Sequence, residues 1–276
     1  MNIVKLNLGR NCIRYLIKLY GIKKLWVPYY CCESVWRAVR QENCRLKFYH
    51  IGNDFLPTEN FQKDDFILYI NYFGLCEDNC RYLAQKYKNL IVDNTQGFYS
   101  DSYGLASFNS LRKFFKVFNG AYLYAEEFLN ANFEQDNLDY KPVLLHENYD
   151  DFVKNENLLD KQDLKYMNCT VENKIQTVNF ENDKNQRLYL YNQYDRIFGK
   201  YNQINLKITG NNIPFCYPFS CANEEITEKL QKANLTLLRL WNDIPKHYPE
   251  YNILNNVAAF PLNDESYAQK IISTFE

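Results

Sequence analysis

Histidine, methionine, proline and glycine are all scarce (3, 2, 8 and 9 of 276 residues), and there is neither an internal repeat nor a low-complexity tract. Three histidines, at 50, 146 and 247, supply no constellation for nucleophilic catalysis or metal binding, and none has a nucleophile pattern near it. A charge excess is missing too. The formal net charge is −1, so bulk electrostatics favours no polyanionic partner, and nucleic acid is not expected. No stretch approaches the roughly 20 apolar residues of a membrane span. Lys5, Arg10, Arg14 and Lys18 make the beginning too polar for a secretory core, and no small-residue cleavage site follows. Nine cysteines, an odd number, do not suit a secreted disulfide framework. The pairs Cys31/Cys32 and Cys76/Cys80 lack the further spaced ligands of a zinc site, so no metal is expected. The compartment these absences imply is the reducing cytoplasm.

What is present is enough chain for a substantial core. Hydrophobic residues make up 46% and charged residues 24%, with 24 tyrosines and 19 phenylalanines, which suits one large domain or a large and a small one. The first half alternates helical periodicity with short apolar runs, as in βαβ units. Residues 10–20 place Ile13, Leu16, Ile17 and Tyr20 at helical spacing after Gly9. Strand-like runs at 24–28, 45–50, 65–70 and 89–93 are separated by helix-like segments at 32–41 and 77–88. The spacing predicts a mainly parallel sheet over about 24–125 with helices on both faces. From about 130 to 182 the chain turns polar and reads as a connecting region with weak helix signals. An amphipathic segment at 184–204, apolar runs at 213–219 and 235–241, and a terminal helix at 264–275 predict a smaller α+β region. The expected organisation is a large α/β domain at 1–130, a connection at 131–182 and a small α+β domain at 183–276.

Two segments carry chemistry. In IVDNTQ (91–96) a carboxylate, Asp93, ends a strand, where open parallel sheets gather their ligands. It suits either of two roles: pairing with a heterocyclic cation, or capping a turn through its own side chain. In ASFNSLRKFFKVFNGAYLY (106–124), Lys113 lies among Ser107, Ser110, Arg112 and bulky aromatics. Desolvation there would lower the pKa of its amine, the condition for Schiff-base chemistry, although most lysines are simply surface residues.

Together these segments resemble the DegT/DnrJ/StrS family of pyridoxal-phosphate-dependent sugar aminotransferases. In that family a strand ends in Asp, with Gln or His three residues on. A Ser-Phe segment, the cofactor lysine and a glycine pair follow. Asp93 and Gln96 stand at that spacing, Ser107-Phe108 matches the Ser-Phe, and Lys113 precedes Gly120 by the family's interval of seven. Gly9-Arg10-Asn11, opening a helix, is similar to the family's phosphate turn. PYYCCES (28–34) resembles the loop carrying a cofactor-stacking aromatic, with Cys32 at the aromatic's position and Tyr29 or Tyr30 as substitutes. NYFG (71–74), IPKHYPEYN and AAFPLNDESYAQKI resemble further family segments. The differences are that Arg10 replaces a threonine, Ala121 replaces the second glycine, the Ser-to-Lys interval is one residue longer, and fewer residues precede Gly9, so that part of the usual entrance and interface is expected to be absent.

The resemblance implies a fold type I α/β architecture and a homodimer with pyridoxal 5'-phosphate at the subunit boundary. It makes Lys113 the catalytic lysine and Asp93 the partner of the ring nitrogen. Gln96 would contact the ring oxygen or face, and Ser110 or Ser107 the phosphate, with Arg10, Asn11 and Cys32 completing the cofactor site. The activity it implies is transamination of a keto sugar, nucleotide-linked, by an amino donor in surface-polysaccharide or glycan synthesis. Two alternatives stand beside it: another pyridoxal-dependent reaction, and a family member that has become a binding or assembly subunit without catalysis.

Overall fold

The computed structural model describes residues 1–276 apart from 139, 144–146, 211, 233–234, 236 and 276. The first half comprises β1 (Asn2–Leu6), α1 (Gly9–Tyr20), β2 (Lys24–Pro28), α2 (Glu33–Gln41), β3 (Arg45–Tyr49), β4 (Phe66–Ile70), α3 (Glu77–Lys86), β5 (Leu90–Asn94), β6 (Ala106–Asn109) and β7 (Ala121–Ala125). Its strands form one seven-stranded sheet in the order β1-β7-β6-β5-β4-β2-β3. Strands β2 to β6 pair in parallel, while β7 and β1 add an antiparallel edge. The mainly parallel sheet expected over 24–125 is therefore present.

The edge strand β1 was not legible in the sequence. Only Val4 and Leu6 of its five residues are buried, so it presents no continuous apolar run. The interior strand β4 does: residues 67–70 of FILYI are all buried, as expected of a strand covered on both faces. Fully buried Leu68 alone contributes about 2 kcal/mol of apolar burial. Helix α1 buries Cys12, Ile13, Leu16 and Ile17 along one face and stops at Gly21, a left-handed cap with φ 60°, a conformation glycine adopts without steric cost.

Connections β2→β3 and β4→β5 run in opposite directions across the sheet. Right-handed crossovers therefore put α2 and α3 on opposite faces, and the strand order reverses between β2 and β4. Such a reversal opens a crevice beyond the carboxyl ends of the strands.

The remainder comprises α4 (Tyr149–Asp160), α5 (Cys169–Gln176), α6 (Phe180–Phe198), β8 (Cys216–Phe219), α7 (Glu224–Lys232), β9 (Leu238–Arg239), α8 (Tyr251–Leu254), β10 (Ala258–Pro261) and α9 (Glu265–Ser273). The stretch expected to be connecting holds two helices, α4 and α5. Asn148 and Asn168 open them, each accepting a backbone N–H with its side chain. Strands β8, β10 and β9 form an antiparallel three-stranded sheet, against which α6 packs at β8. The apolar run at 235–241 yields only the two-residue β9, with residue 236 outside the described set.

One side chain locks the two halves together. Arg187 of α6 is fully buried. Its guanidinium pairs with Asp183 at 2.7 Å, donates to the Phe114 and Phe215 carbonyls at 2.9 and 3.2 Å, and lies 4.4 Å from the Phe114 ring centroid. Burial of a charge is tolerable only with such complete pairing.

Candidate active site

A cavity of about 120 Å³ opens at the carboxyl ends of the parallel strands. Ile70 comes from the end of β4, Asp93 from β5, Phe108 and Ser110 from β6 and its exit, Cys32 and Ser34 from the N-cap and first turn of α2, and Gly9 and Arg10 from the start of α1. This is the crevice that the strand order requires.

Asp93 forms part of the floor, 4% exposed. One carboxylate oxygen accepts the Thr95 backbone N–H at 2.8 Å. The turn-capping role of a strand-end Asp is thus realised, and the same carboxylate also faces the cavity. Burial pushes the Asp93 pKa up, against the opposing pull of Lys113 and Thr95. Lys113 follows Ser110 in a short 3₁₀ turn, Leu111–Lys113. The residue is part-exposed, but its amine reaches inward, donating to Thr95 Oγ1 at 3.0 Å and lying 5.9 Å from the Phe215 ring centroid. Desolvation lowers the Lys113 pKa, and Arg112 lowers it further, while Asp93, Cys32 and Glu156 act in the other direction. For both groups the loss of water outweighs their mutual attraction, so each is displaced toward its neutral form.

Thr95 bridges the two and was not singled out in the sequence. It also seats α1, because a Cβ built on Gly9 would lie 3.0 Å from Thr95 Cγ2. A side chain at position 9 would therefore press on the Thr95 methyl.

Of the sequence candidates, Lys113, Asp93, Ser110, Arg10 and Cys32 line this cavity. Three others face elsewhere. The amide oxygen of Gln96 accepts the Phe73 N–H at 2.7 Å and so supports the NYFG turn instead. That turn carries Phe73 at φ 59° and Gly74 at φ 73°. A Cβ at Gly74 would fall 2.4 Å from the Gln96 carbonyl oxygen, so only glycine fits. Asn11 points away from the cavity, donating to Asn7 Oδ1 and the Asp163 carbonyl at 2.9 and 2.8 Å, because one residue along a helix rotates a side chain by about 100°. Ser107 lies on the opposite face of β6 from Phe108, as strand alternation demands. It is fully buried with an unpartnered hydroxyl.

The stacking substitutes also differ from expectation. Tyr29 and Tyr30 line a second cavity of about 590 Å³, together with Trp36, Phe48 and Tyr248. Trp241 forms a wall of both cavities, at an unusual φ of 48°. It brings an indole to the cavity that Cys32 also lines, and it lies too far along the chain for spacing to reveal. His50 is held by Glu250 at 3.0 Å, His247 packs on Tyr248, and His146 lies outside the described residues. All nine cysteines are free. Among the described residues no helix is long and apolar enough to cross a membrane, and no cluster of three potential ligands could hold a metal.

The rim is built from charge. Arg112 makes a two-point ion pair with Glu156 at 2.5 and 3.0 Å. Arg10 pairs with Asp160, whose second oxygen accepts from Arg37 at 2.8 Å. Glu156 and Asp160 are one turn apart on α4 and line the cavity. Desolvation alone would raise the Asp160 pKa, but the two guanidiniums outweigh it and the net shift is downward.

No protein-family model matches the chain, and no curated protein matches it by sequence. Its fold does match solved structures across essentially its full length. A DegT/DnrJ/EryC1/StrS aminotransferase from Brucella abortus is 11% identical with a TM-score of 0.64, over 100% of this chain and 85% of that one. NtdA from Bacillus subtilis, solved with bound cofactor PMP, is 12% identical with a TM-score of 0.64, over 100% and 72%. Helicobacter pylori PseC, an aminotransferase involved in pseudoaminic acid biosynthesis, is 14% identical with a TM-score of 0.60, over 100% and 87%. The chain has the fold of these aminotransferases, the α/β fold type I architecture with a mainly parallel sheet.

Proposed function

We propose that this protein is a pyridoxal-phosphate-dependent aminotransferase that moves an amino group onto a keto sugar. The observation that carries this reading is the enclosure of Asp93 and the Lys113 amine in one cavity, joined through Thr95, at the carboxyl edge of this sheet. The residues suit the cofactor at three points. Asp93 is a buried carboxylate whose ionised form is under-compensated, and a protonated ring nitrogen would supply the missing cation. Lys113 presents an amine displaced toward its neutral, nucleophilic form. Gly9, Arg10 and Ser110 bring a helix N-terminus, a guanidinium and a hydroxyl to one corner, a fitting environment for a phosphate.

Bound there, pyridoxal phosphate would supply an electron sink for the carbon that gains or loses nitrogen. Lys113 would hold it covalently and, once released, carry protons at Nζ to and from the substrate carbon. Thr95 orients that amine through its hydroxyl, and Asp93 would favour a protonated ring nitrogen by offering it a buried anion. Trp241 and Phe215 exclude water from the lysine side. The finer parts of the reading are a nucleotide-linked sugar, an amino donor, a homodimer completing the site, a cytoplasmic location and a role in surface-polysaccharide or glycan synthesis. The division into domains at 1–130 and 183–276, joined by 131–182, belongs to the same proposal.

The deciding experiment is borohydride reduction of the purified protein with pyridoxal phosphate, followed by peptide mapping. An adduct on Lys113 is expected, and an adduct on another lysine would overturn the assignment. A second reading, a binding subunit without catalysis, is favoured by one observation: the Gln96 amide oxygen is engaged by the Phe73 N–H of the NYFG turn. It predicts no adduct at saturating cofactor.

A further inference from the structure

Three guanidiniums from three separate elements converge at the cavity rim: Arg10 at the start of α1, Arg37 in α2 and Arg112 beside Lys113. Bringing like charges together is unfavourable unless anions lie between them. Here the anions are the chain's own. Glu156 takes Arg112 with both oxygens, and Asp160 takes Arg10 and Arg37 with one oxygen each. Two carboxylates against three guanidiniums leave one positive charge uncompensated. The Arg112–Glu156 pair has the two-point geometry with which guanidinium binds oxyanions, and Asp160 bridges the other two arginines.

The helix bearing those carboxylates is weakly anchored otherwise. Of its twelve residues only Leu159 is buried, in a small cluster with Leu8 and Phe118. Asn155 adds one hydrogen bond to the Lys141 carbonyl. With Leu158 half-buried against the same cluster, the helix is held by two adjacent leucines and part-exposed ion pairs, which places it at the low end of local stability.

We propose that α4 is an internal competitor for an anion site formed by Arg10, Arg37 and Arg112, and that a ligand bearing a phosphate dianion binds there by displacing Glu156 and Asp160. The inference shares its cavity with the reading above, since a phosphorylated cofactor would meet the same arginines, but it requires neither the cofactor nor catalysis. It makes occupancy of the site and the docking of α4 mutually exclusive, so that each weakens the other by the same factor.

The test uses inorganic phosphate with the full chain at constant ionic strength, with chloride as the control anion. Saturating phosphate is expected to speed backbone hydrogen exchange across 149–160 several-fold while exchange in β4 and β5 stays unchanged. E156Q/D160N is expected to bind phosphate at least tenfold tighter. Because that variant also alters charge, Leu159→Ala supplies the second arm: it loosens α4 at constant charge and is expected to tighten phosphate several-fold. Unchanged exchange in 149–160 under bound phosphate, or wild-type affinity in Leu159→Ala with its far-UV circular dichroism intact, would overturn the proposal. Loss of the Lys113 adduct with α4 displacement retained would sink the aminotransferase reading and leave this one standing; the reverse result would do the opposite.

Discussion

At the floor of the cavity Asp93 and Lys113 are held by the exits of β5 and β6, and both are displaced toward neutrality by loss of water. At its rim the charges are more exposed, Arg112 and Glu156 keeping 24% and 33% of their side-chain surface, and Asp160 is held below the usual carboxylate range by its arginines despite partial burial. The floor therefore opposes folding in exchange for reactive groups, whereas at the rim each carboxylate is ion-paired and contributes modestly to docking α4. Strained or under-compensated groups collect at functional sites because stability alone would remove them. The floor fits that pattern, and the rim resembles ordinary ion pairing.

Removing the amine should break the comparison most severely. Lys113→Ala is expected to eliminate the borohydride-trapped adduct and to lower turnover by about 10²–10⁴-fold or more, while thermal melting shows a fold that is retained. Next in size is the brace beneath the floor. Arg187→Met leaves Asp183 and the Phe114 and Phe215 carbonyls without their buried partner. It should cost about 3–5 kcal/mol in urea unfolding, with trapping reduced because the Lys113 turn loosens.

The sign of the floor's contribution is a sharper question. D93N/K113M replaces both buried charges with neutral groups of similar size, and a gain of about 1–4 kcal/mol is expected, alongside complete loss of trapping. Loss of stability in that double variant would contradict the under-compensated floor. At the rim the opposite sign is expected and the effect is small: Glu156→Gln should cost about 0.2–1 kcal/mol, measurable as a lowered urea midpoint.

The smallest effect concerns pH. A lysine whose folded pKa lies below its unfolded value of 10.5 binds fewer protons when folded, so the folded state is penalised at neutral pH and recovers as pH rises through the folded pKa toward 10.5. The rate of adduct trapping should accordingly rise with a midpoint below 10.5, and Asp93→Asn, by removing an anion that favours the ammonium form, should move it lower still. For Asp160 stability also rises with pH, but its charged form is the stabilising one. Its contribution to docking α4 is fully present above its unfolded pKa of 3.8 and should fade as pH falls below it, seen as faster exchange in 149–160.

How much of this was legible in sequence varied with the range of the interaction. The strand at 24–28 and the helices opening near 10 and 33 follow from short-range periodicity, and they appear where the spacing put them. The resemblance likewise brought Asp93, Ser110, Lys113, Arg10 and Cys32 to one cavity. Gln96, Asn11 and Ser107, at the residue types and intervals of the resemblance, do not line that cavity.

Facing was not determined by the sequence pattern alone. A one-residue step turns a strand side chain to the other face, and about 100° of helix rotation carries Asn11 away from Arg10. Local pattern determined that this chain makes a largely parallel sheet and that an acid, Asp93, stands at the carboxyl end of the strand-like run at 89–93. Only the tertiary structure decided that Thr95 joins them, that Trp241 walls two cavities, and that Glu156 and Asp160 reach back across the chain to three arginines. Thr95 and Lys113 are 18 residues apart, Arg112 and Glu156 are 44 apart, and Arg10 and Asp160 are 150 apart, and no periodicity links them. Their meeting is fixed by strand order and helix docking, through the requirement that buried or crowded charge find a counter-charge wherever the fold supplies one.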